Sequence, residues 1–386
     1  MTPRRILLVC HLPLRRELGG ARVQIEFGEQ LRAAGHIVDH YTFDDAFDRR
    51  SPGRLGVQMF PYLASRHVRA VADRYDIVEC HQGDLPMSKR WLGLKGVLVV
   101  RSSGLFHAYR DFLRHASVAW PDQPHGARVG NVVRALEWRS RLRRTERTFA
   151  EADVINVPNE DERAIVRGMV SDPDKVIVIP NGIASGTLSA LRVASEDARA
   201  RQGAQRVVVV GTWDVRKGAR EWPAIIRHVW TELSDTRFAF LGTRVARDQI
   251  LGELGCPADS RIEVVPTFAA DALPELLARS TVGALPSHIE GFGLGLVESL
   301  AAGIPSVAYD VPGPRETVGR LRRAWLTPAG DPKAFSSAIV ELLRLSPESY
   351  ARDAQECTNF AQRYSWQMLA PQTLDAYLEI TGLSRR

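Results

Sequence analysis

Glu290 and Glu298 bracket a glycine-rich stretch, Gly291-Phe292-Gly293-Leu294-Gly295, which follows the short apolar run 281–285. From Leu294 the apolar residues recur at Val297, Leu300 and Ala301, which is helical spacing. Gly303 and Pro305 stop that helix before another apolar run, 306–309. The unit reads as strand, turn, helix, strand. Glycines at a helix start let backbone amides approach a ligand, and the helix dipole adds positive character, so the turn suits an anion. Carboxylates beside it call for hydroxyl donors or cations. A ligand with hydroxyls next to phosphates answers both demands; a tight turn with two solvated glutamates is the alternative.

Other residues capable of chemistry stand at the ends of apolar runs. Arg206–Val210 is a β-branched run of the buried parallel kind, followed by Gly211, Thr212 and the cations Arg216 and Lys217. A cation at a strand exit is placed to meet a phosphate. In the first half, Ile6–Cys10 reads as a buried strand leading to Gly19-Gly20 and a helical segment, 21–34. That glycine pair either presents amides to phosphate or sugar or is a plain hinge. His81 closes a strand over 75–81, at the edge where open α/β sheets place ligands. Arg101, Ser103 and His107 follow the strand 96–100 as candidate polar groups of a cleft wall, with a surface-loop role equally open for His107.

These elements recur as βα repeats in two regions. The polar Ala/Ser/Arg-rich stretch 186–205 separates them and reads as a linker, giving domains over 1–185 and 206–365. The tail is amphipathic, and 366–386 reads as a C-terminal helix. A long arginine-rich helix spans 130–151: Ala135, Trp138, Leu142, Thr145, Phe149 and Ala152 form a burying stripe, and Arg139, Arg141, Arg143, Arg144 and Arg147 fall largely elsewhere. That basic face is either simply solvated or attracted to anionic lipid. Nucleic acid is disfavoured, because no aromatic stacking platform accompanies the arginines.

Bulk properties set the limits. A chain of 386 residues exceeds what one core usually serves. Its 45% hydrophobic and 25% charged content is that of a globular protein. The four cysteines are scattered, so no metal site or disulfide framework is expected. No apolar run approaches the ~20 residues of a membrane span, and a cytoplasmic location is expected. The net charge of +6 fits an anionic substrate or surface without choosing between them.

Taken together and in order, these residues resemble the GT-B-fold retaining glycosyltransferases of family 4, also called glycosyltransferase group 1. Glu290 and Glu298 match the family's E-x7-E pattern, with Pro286-Ser287 before it and Ala301-Ala302-Gly303-Ile304-Pro305 after. Pro180-Asn181-Gly182-Ile183 matches the segment at the domain junction, and Gly211 with Lys217-Gly218 the phosphate loop. Gly19-Gly20 matches the N-terminal loop. The resemblance implies two Rossmann-like doubly wound α/β domains facing a central cleft, with the last helix crossing back to the first domain. It implies that Glu298 holds the ribose of a nucleotide sugar, that amides from Phe292 to Gly295 hold the diphosphate and sugar, and that Lys217 neutralises the departing diphosphate. Glu290 would face the donor sugar, and the acceptor, a glycan, lipid or small molecule, would meet His81, Arg101, Ser103 and His107.

No metal or other cofactor is implied. The chain departs from the family where Thr212 replaces a common arginine, with Arg216 as a substitute cation. It departs again where Arg101 replaces a common histidine, and where a glycine near Thr267-Phe268 is missing. Those departures leave a catalytically silent nucleotide-sugar sensor as the alternative. A nicotinamide enzyme is disfavoured, since no G-x-G-x-x-G with a downstream acid follows Val9 or Val210.

Overall fold

The structure, a computed structural model, describes residues 2–48, 50, 53–119, 128–256 and 259–383. It divides into two compact units, Met1–Gly182 with Trp366–Arg386, and Ile183–Ser365.

The first unit carries a six-stranded sheet in the order β2-β1-β3-β4-β5-β6. Its strands are β1 (Arg5–Cys10), β2 (Ile37–Thr42), β3 (Ile77–His81), β4 (Val97–Arg101), β5 (Val154–Val157) and β6 (Val176–Val178). All pairings are parallel. β3, β4 and β5 are buried along their whole length, because crossover helices cover both faces of a parallel sheet. This is why their sequences are continuous apolar runs and do not alternate. The chain runs from β1 outward to β2, then returns to β3 on the other side of β1. The loops after β1 and β3 therefore diverge and leave a crevice at their C-terminal ends, the topological switch point.

The second unit repeats the plan with β7 (Arg206–Val210), β8 (Arg237–Leu241), β9 (Ile262–Val265), β10 (Val282–Leu285), β11 (Ser306–Tyr309) and β12 (Leu326–Thr327). The order is β12-β11-β10-β7-β8-β9, again all parallel. Here the switch point lies between β7 and β10.

One boundary differs from the sequence reading. Residues 186–205 are no linker: they contribute to the helices Ser185–Val193 and Ala198–Gln202 of the second unit. Leu188 and Leu191, three apart on one helical face, are buried in its core. Arg201 donates to the carbonyls of Ala302 (2.8 Å) and Gly303 (2.7 Å), satisfying the end of the Leu294–Ala301 helix. A polar composition concealed these anchors.

The C-terminal helix Trp366–Ile380 belongs to the first unit. Trp366 packs against Phe27 with ring centroids 5.2 Å apart. Gly182 lies flat on the same indole, where a Cβ would sit 2.5 Å from Cδ2, so only glycine fits there.

Candidate functional site

In the second unit, the loops leaving β7 and β10 meet at the switch point. The β7 loop turns at Gly211 and forms a single 3-10 turn, Val215–Lys217, capped by Asp214, whose Oδ1 accepts from the Lys217 amide at 3.2 Å. Gly218 then takes φ +79°, and any Cβ there would collide with the Pro286 carbonyl of the β10 loop. A second glycine contact does the same work deeper down: a Cβ on Gly295 would lie 2.7 Å from the Val210 carbonyl. The His288 amide donates to the Arg216 carbonyl (2.9 Å), stitching the loops together.

Lys217 Nζ forms an ion pair with Glu290, both side chains being mostly buried. Glu290 is itself held from behind, since its carbonyl accepts from the Gly313 amide at 2.9 Å. The Leu294–Ala301 helix starts beside this pair behind Gly293, which serves as N-cap at φ +86°. The amides of Leu294 and Gly295 have no acceptor within the helix, as at any helix start, while that of Leu296 donates to the Gly293 carbonyl at 2.9 Å. Glu298 lies on that helix and is 2% exposed. Its neighbour Phe292 is a core residue, packed edge-on against Tyr364 at 5.3 Å, so only its backbone is available to a ligand. Gly291 and Leu294 flank it along the turn.

The structure reassigns the other cation and the substituted threonine. Arg216 Nη2 donates to Asp214 Oδ2 at 3.3 Å, and Thr212 Oγ1 donates to the same oxygen at 2.7 Å. Both side chains brace the loop. Asp214 therefore orders the segment that carries Lys217, and Lys217 is the cation paired directly with the E-x7-E turn.

In the first unit the sequence-read residues separate into three groups. His81 and Ser103 come together, with His81 Nε2 and Ser103 Oγ 3.0 Å apart. His107, in the first turn of the Phe106–Ala119 helix, is tied to Glu146 at 3.2 Å. Arg101 is no part of a ligand wall. It is 1% exposed, donates from Nε to Glu79 Oε1 (2.6 Å) and from Nη2 to Tyr377 Oη (3.0 Å), and lies over the Phe27 ring. As the last residue of a strand covered on both faces, its side chain enters the core and anchors the terminal helix. Gly19 and Gly20 form no hinge either, since they are the first two residues of the Gly19–Ala33 helix, where Gly20 lies close to Leu12.

Sequence reading missed two residues here. His11, immediately after β1, places Nδ1 2.9 and 3.0 Å from the two carboxylate oxygens of Asp84, on the loop after β3. The His11 ring meets His81 edge-on at 4.7 Å. Burial holds His81 well below the ordinary histidine range, and the neighbouring His11 acts the same way. Burial pushes the Asp84 carboxyl up while His11 draws it back. The only sequence signal was position: His11 ends the first strand just as His81 ends the third.

With this geometry in place, comparison with known proteins is informative. The family model for "Glycosyl transferases group 1" matches residues 204–345, and that for "Glycosyl transferase 4-like domain" matches 19–182; together they span most of the chain. A D-inositol 3-phosphate glycosyltransferase of Streptomyces scabiei is 25% identical over 97% of this chain and 91% of its own length. Among solved structures, sucrose-phosphate synthase from Thermosynechococcus elongatus superposes with a TM-score of 0.71 at 20% identity, covering 98% of this chain and 99% of that one. WaaG, a glycosyltransferase involved in lipopolysaccharide biosynthesis, gives 0.69 at 16%, covering 98% and 99%. HepE of Anabaena in complex with UDP and glucose gives 0.61 at 16%, covering 96% and 98%. These likenesses show the GT-B fold.

Proposed function

Because the chain belongs to the group 1 glycosyltransferases and is a transferase of that family, we propose that it moves a hexose from a UDP- or GDP-type sugar to a hydroxyl of a glycan, lipid or small-molecule acceptor, with retention and without a metal. The observation that carries this reading is the Lys217–Glu290 ion pair beside the Leu294–Ala301 helix start, at the switch point of the second unit. The bond broken joins the anomeric carbon to the diphosphate, and negative charge accumulates on the departing oxygens. Lys217 and the helix amides supply positive charge where it develops, fixed in advance by Asp214 and the glycine contacts. The diphosphate replaces Glu290 as the partner of Lys217, which frees Glu290 to face the sugar.

Glu298 accepts from the ribose hydroxyls in this reading. The acceptor oxygen forms its bond on the face the diphosphate leaves, and its proton passes to the departing phosphate oxygen. No carboxylate at nucleophile distance is needed, unlike the two-carboxylate glycosidases. The nucleotides bound in two structural neighbours, UDP in HepE and ADP in a starch synthase of Arabidopsis thaliana, support a nucleotide donor.

Exposed Arg139, Arg143 and Arg147, with exposed Leu136 on the same helix, support docking on an anionic membrane surface. We therefore place the reaction in cell-surface polysaccharide or glycolipid synthesis at the cytoplasmic face. Among the described residues no helix is long and apolar enough to cross a membrane. Co-sedimentation with vesicles containing or lacking anionic lipid tests the docking.

The decisive assay offers UDP- and GDP-sugars to the purified protein with and without EDTA and follows donor cleavage and the anomeric configuration of the product. Turnover that EDTA leaves intact is the expected result. Loss of turnover in EDTA removes the metal-free claim, and failure to bind any nucleotide sugar removes the whole reading.

A further inference from the structure

Besides Lys217–Glu290, a second ion pair joins the two loops of the second unit's site: His288 Nε2 meets Glu221 Oε1. Glu221 stands four residues beyond Lys217 on the β7 loop, and His288 two residues before Glu290 on the β10 loop. Each loop therefore carries one partner of both pairs. Glu221 also opens the helix Trp222–Glu232, since its carbonyl accepts from the Ala224 and Ile225 amides at 3.0 Å. The backbone of His288 is tied to the β7 loop as well, through the Arg216 carbonyl.

Both side chains of this second pair are mostly buried, 13% exposed for His288 and 9% for Glu221. The His288 ring lies against that of Tyr309 on β11, centroids 5.6 Å apart, and Tyr309 packs edge-on against Phe335 at 5.1 Å. The imidazole is thus seated on a wall of the core. Glu221 Oε2, by contrast, is buried with no hydrogen-bond partner among the described residues. A carboxylate buried with one oxygen unanswered is costly, and an apolar pair of similar volume would fill the space at less cost. What an apolar pair lacks is direction: the hydrogen bond fixes both the distance and the angle between the loops.

The two ties are not equivalent. In the reaction proposed above, the diphosphate takes the place of Glu290 on Lys217, so the first pair opens as the donor binds. The second pair takes no part in that exchange. We propose that His288, held by Glu221, is a positioning residue that keeps the Lys217 loop in register with the Glu290 turn after the donor has opened the Lys217–Glu290 pair. The inference rests on the transferase reading for the donor; the tie between the loops is testable without turnover. His288 acts through the two loops and not on the reacting atoms.

Two amides at position 288 separate a hydrogen bond from bulk. Gln places its amide nitrogen where histidine has Nε2 and still reaches Glu221, whereas Asn stops at the level of Nδ1. We expect His288→Asn to lower kcat for donor cleavage by roughly 10–100-fold, the scale of a small misplacement. The Kd for UDP or GDP by calorimetry should stay within a factor of about three. His288→Gln should recover most of kcat. Glu221→Ala removes the partner and leaves His288 in place, and it should show the same loss. The double variant His288→Asn, Glu221→Ala should fall little further, because the pair acts as a unit. Hydrogen exchange of amides 211–221, measured with and without saturating UDP or GDP, reads the tie itself. His288→Asn and Glu221→Ala should speed exchange there, more so with nucleotide bound, and His288→Gln should not. A wild-type kcat in His288→Asn, or a nucleotide Kd that rises as much as kcat falls, overturns the proposal. So does a lowered melting temperature with kcat and exchange unaltered. Faster exchange in His288→Asn alongside a wild type that cleaves no donor would remove the transferase reading and keep the tie; donor cleavage with exchange unaltered would do the reverse.

Discussion

Lys217, from the loop after β7, and Glu290, from the loop after β10, form an ion pair across the switch point of the second unit. Each is the other's counter-charge here, and in the proposed reaction a diphosphate takes the place of Glu290. Removing the lysine should therefore affect the transition state more than donor binding. We expect Lys217→Ala to lower kcat by roughly 10²–10³-fold, with a smaller change in donor KM, as read from steady-state donor cleavage. Glu290→Gln should also lower kcat. The double variant should fall well short of the product of the two losses, because the residues act as a unit.

Gly295 tests whether the close approach of the helix start to β7 matters for the donor. Gly295→Ala drives a methyl toward the Val210 carbonyl and must push the turn outward. The cost of such overpacking is about 1–3 kcal/mol in stability. The nucleotide Kd by calorimetry should rise by roughly tenfold, in line with a free-energy loss of about 1.4 kcal/mol. A Kd equal to that of the wild type would show that the amides do not hold the diphosphate.

Arg101 makes the opposite prediction. Its pairing with Glu79 and Tyr377 lies wholly inside the first unit, so Arg101→Ala leaves a buried carboxylate without its cation. Urea unfolding should show a loss of about 3–5 kcal/mol. The nucleotide Kd at 20 °C should stay within a factor of about two, well under the ~1.4 kcal/mol of a tenfold change. Replacing Arg101 and Glu79 together by apolar residues should restore much of the stability.

A pH dependence follows from Glu162. It is buried, accepting from Ser102 Oγ at 2.7 Å, and burial raises its carboxyl from 4.5 to about 7. The folded state therefore binds the proton more tightly than the unfolded chain. This group's contribution to stability is complete below pH 4.5 and is lost as pH rises towards 7, a span of order 3 kcal/mol. Glu162→Gln keeps a neutral group of the same shape. The difference in unfolding free energy between wild type and Glu162→Gln should change across pH 4.5–7 and be flat above; a constant difference across that window would refute the assignment.

Much of the fold was legible in residue order, as were the two segments that carry the Lys217–Glu290 pair. The apolar runs at 6–10, 77–81, 97–101 and 206–210 read as buried strands because a parallel sheet covered on both faces leaves no polar side. The E-x7-E turn and the Lys217 loop are each short segments and legible one by one, whereas their meeting, 73 positions apart, is a tertiary contact. Arg101 was misplaced because a strand's last residue can point to a crevice or to a core, and only the packing of the terminal helix, whose Tyr377 lies 276 positions further along, settles which. The stretch 186–205 was misread because its polar composition hides the two leucines and the arginine that anchor it.

His11 and Asp84 come from separate segments whose types and spacing mark neither as the other's partner. Residue order alone pointed to a βα chain resembling the group 1 kind, with a glycine-rich turn between two glutamates and a lysine at a strand exit. Tertiary structure alone decided which arginines are paired inside their own unit. Arg101, Arg144 and Arg216 find acceptors inside their own units. For Arg101 and Arg144 the acceptor lies on a different segment, and that pairing exists only once distant segments meet.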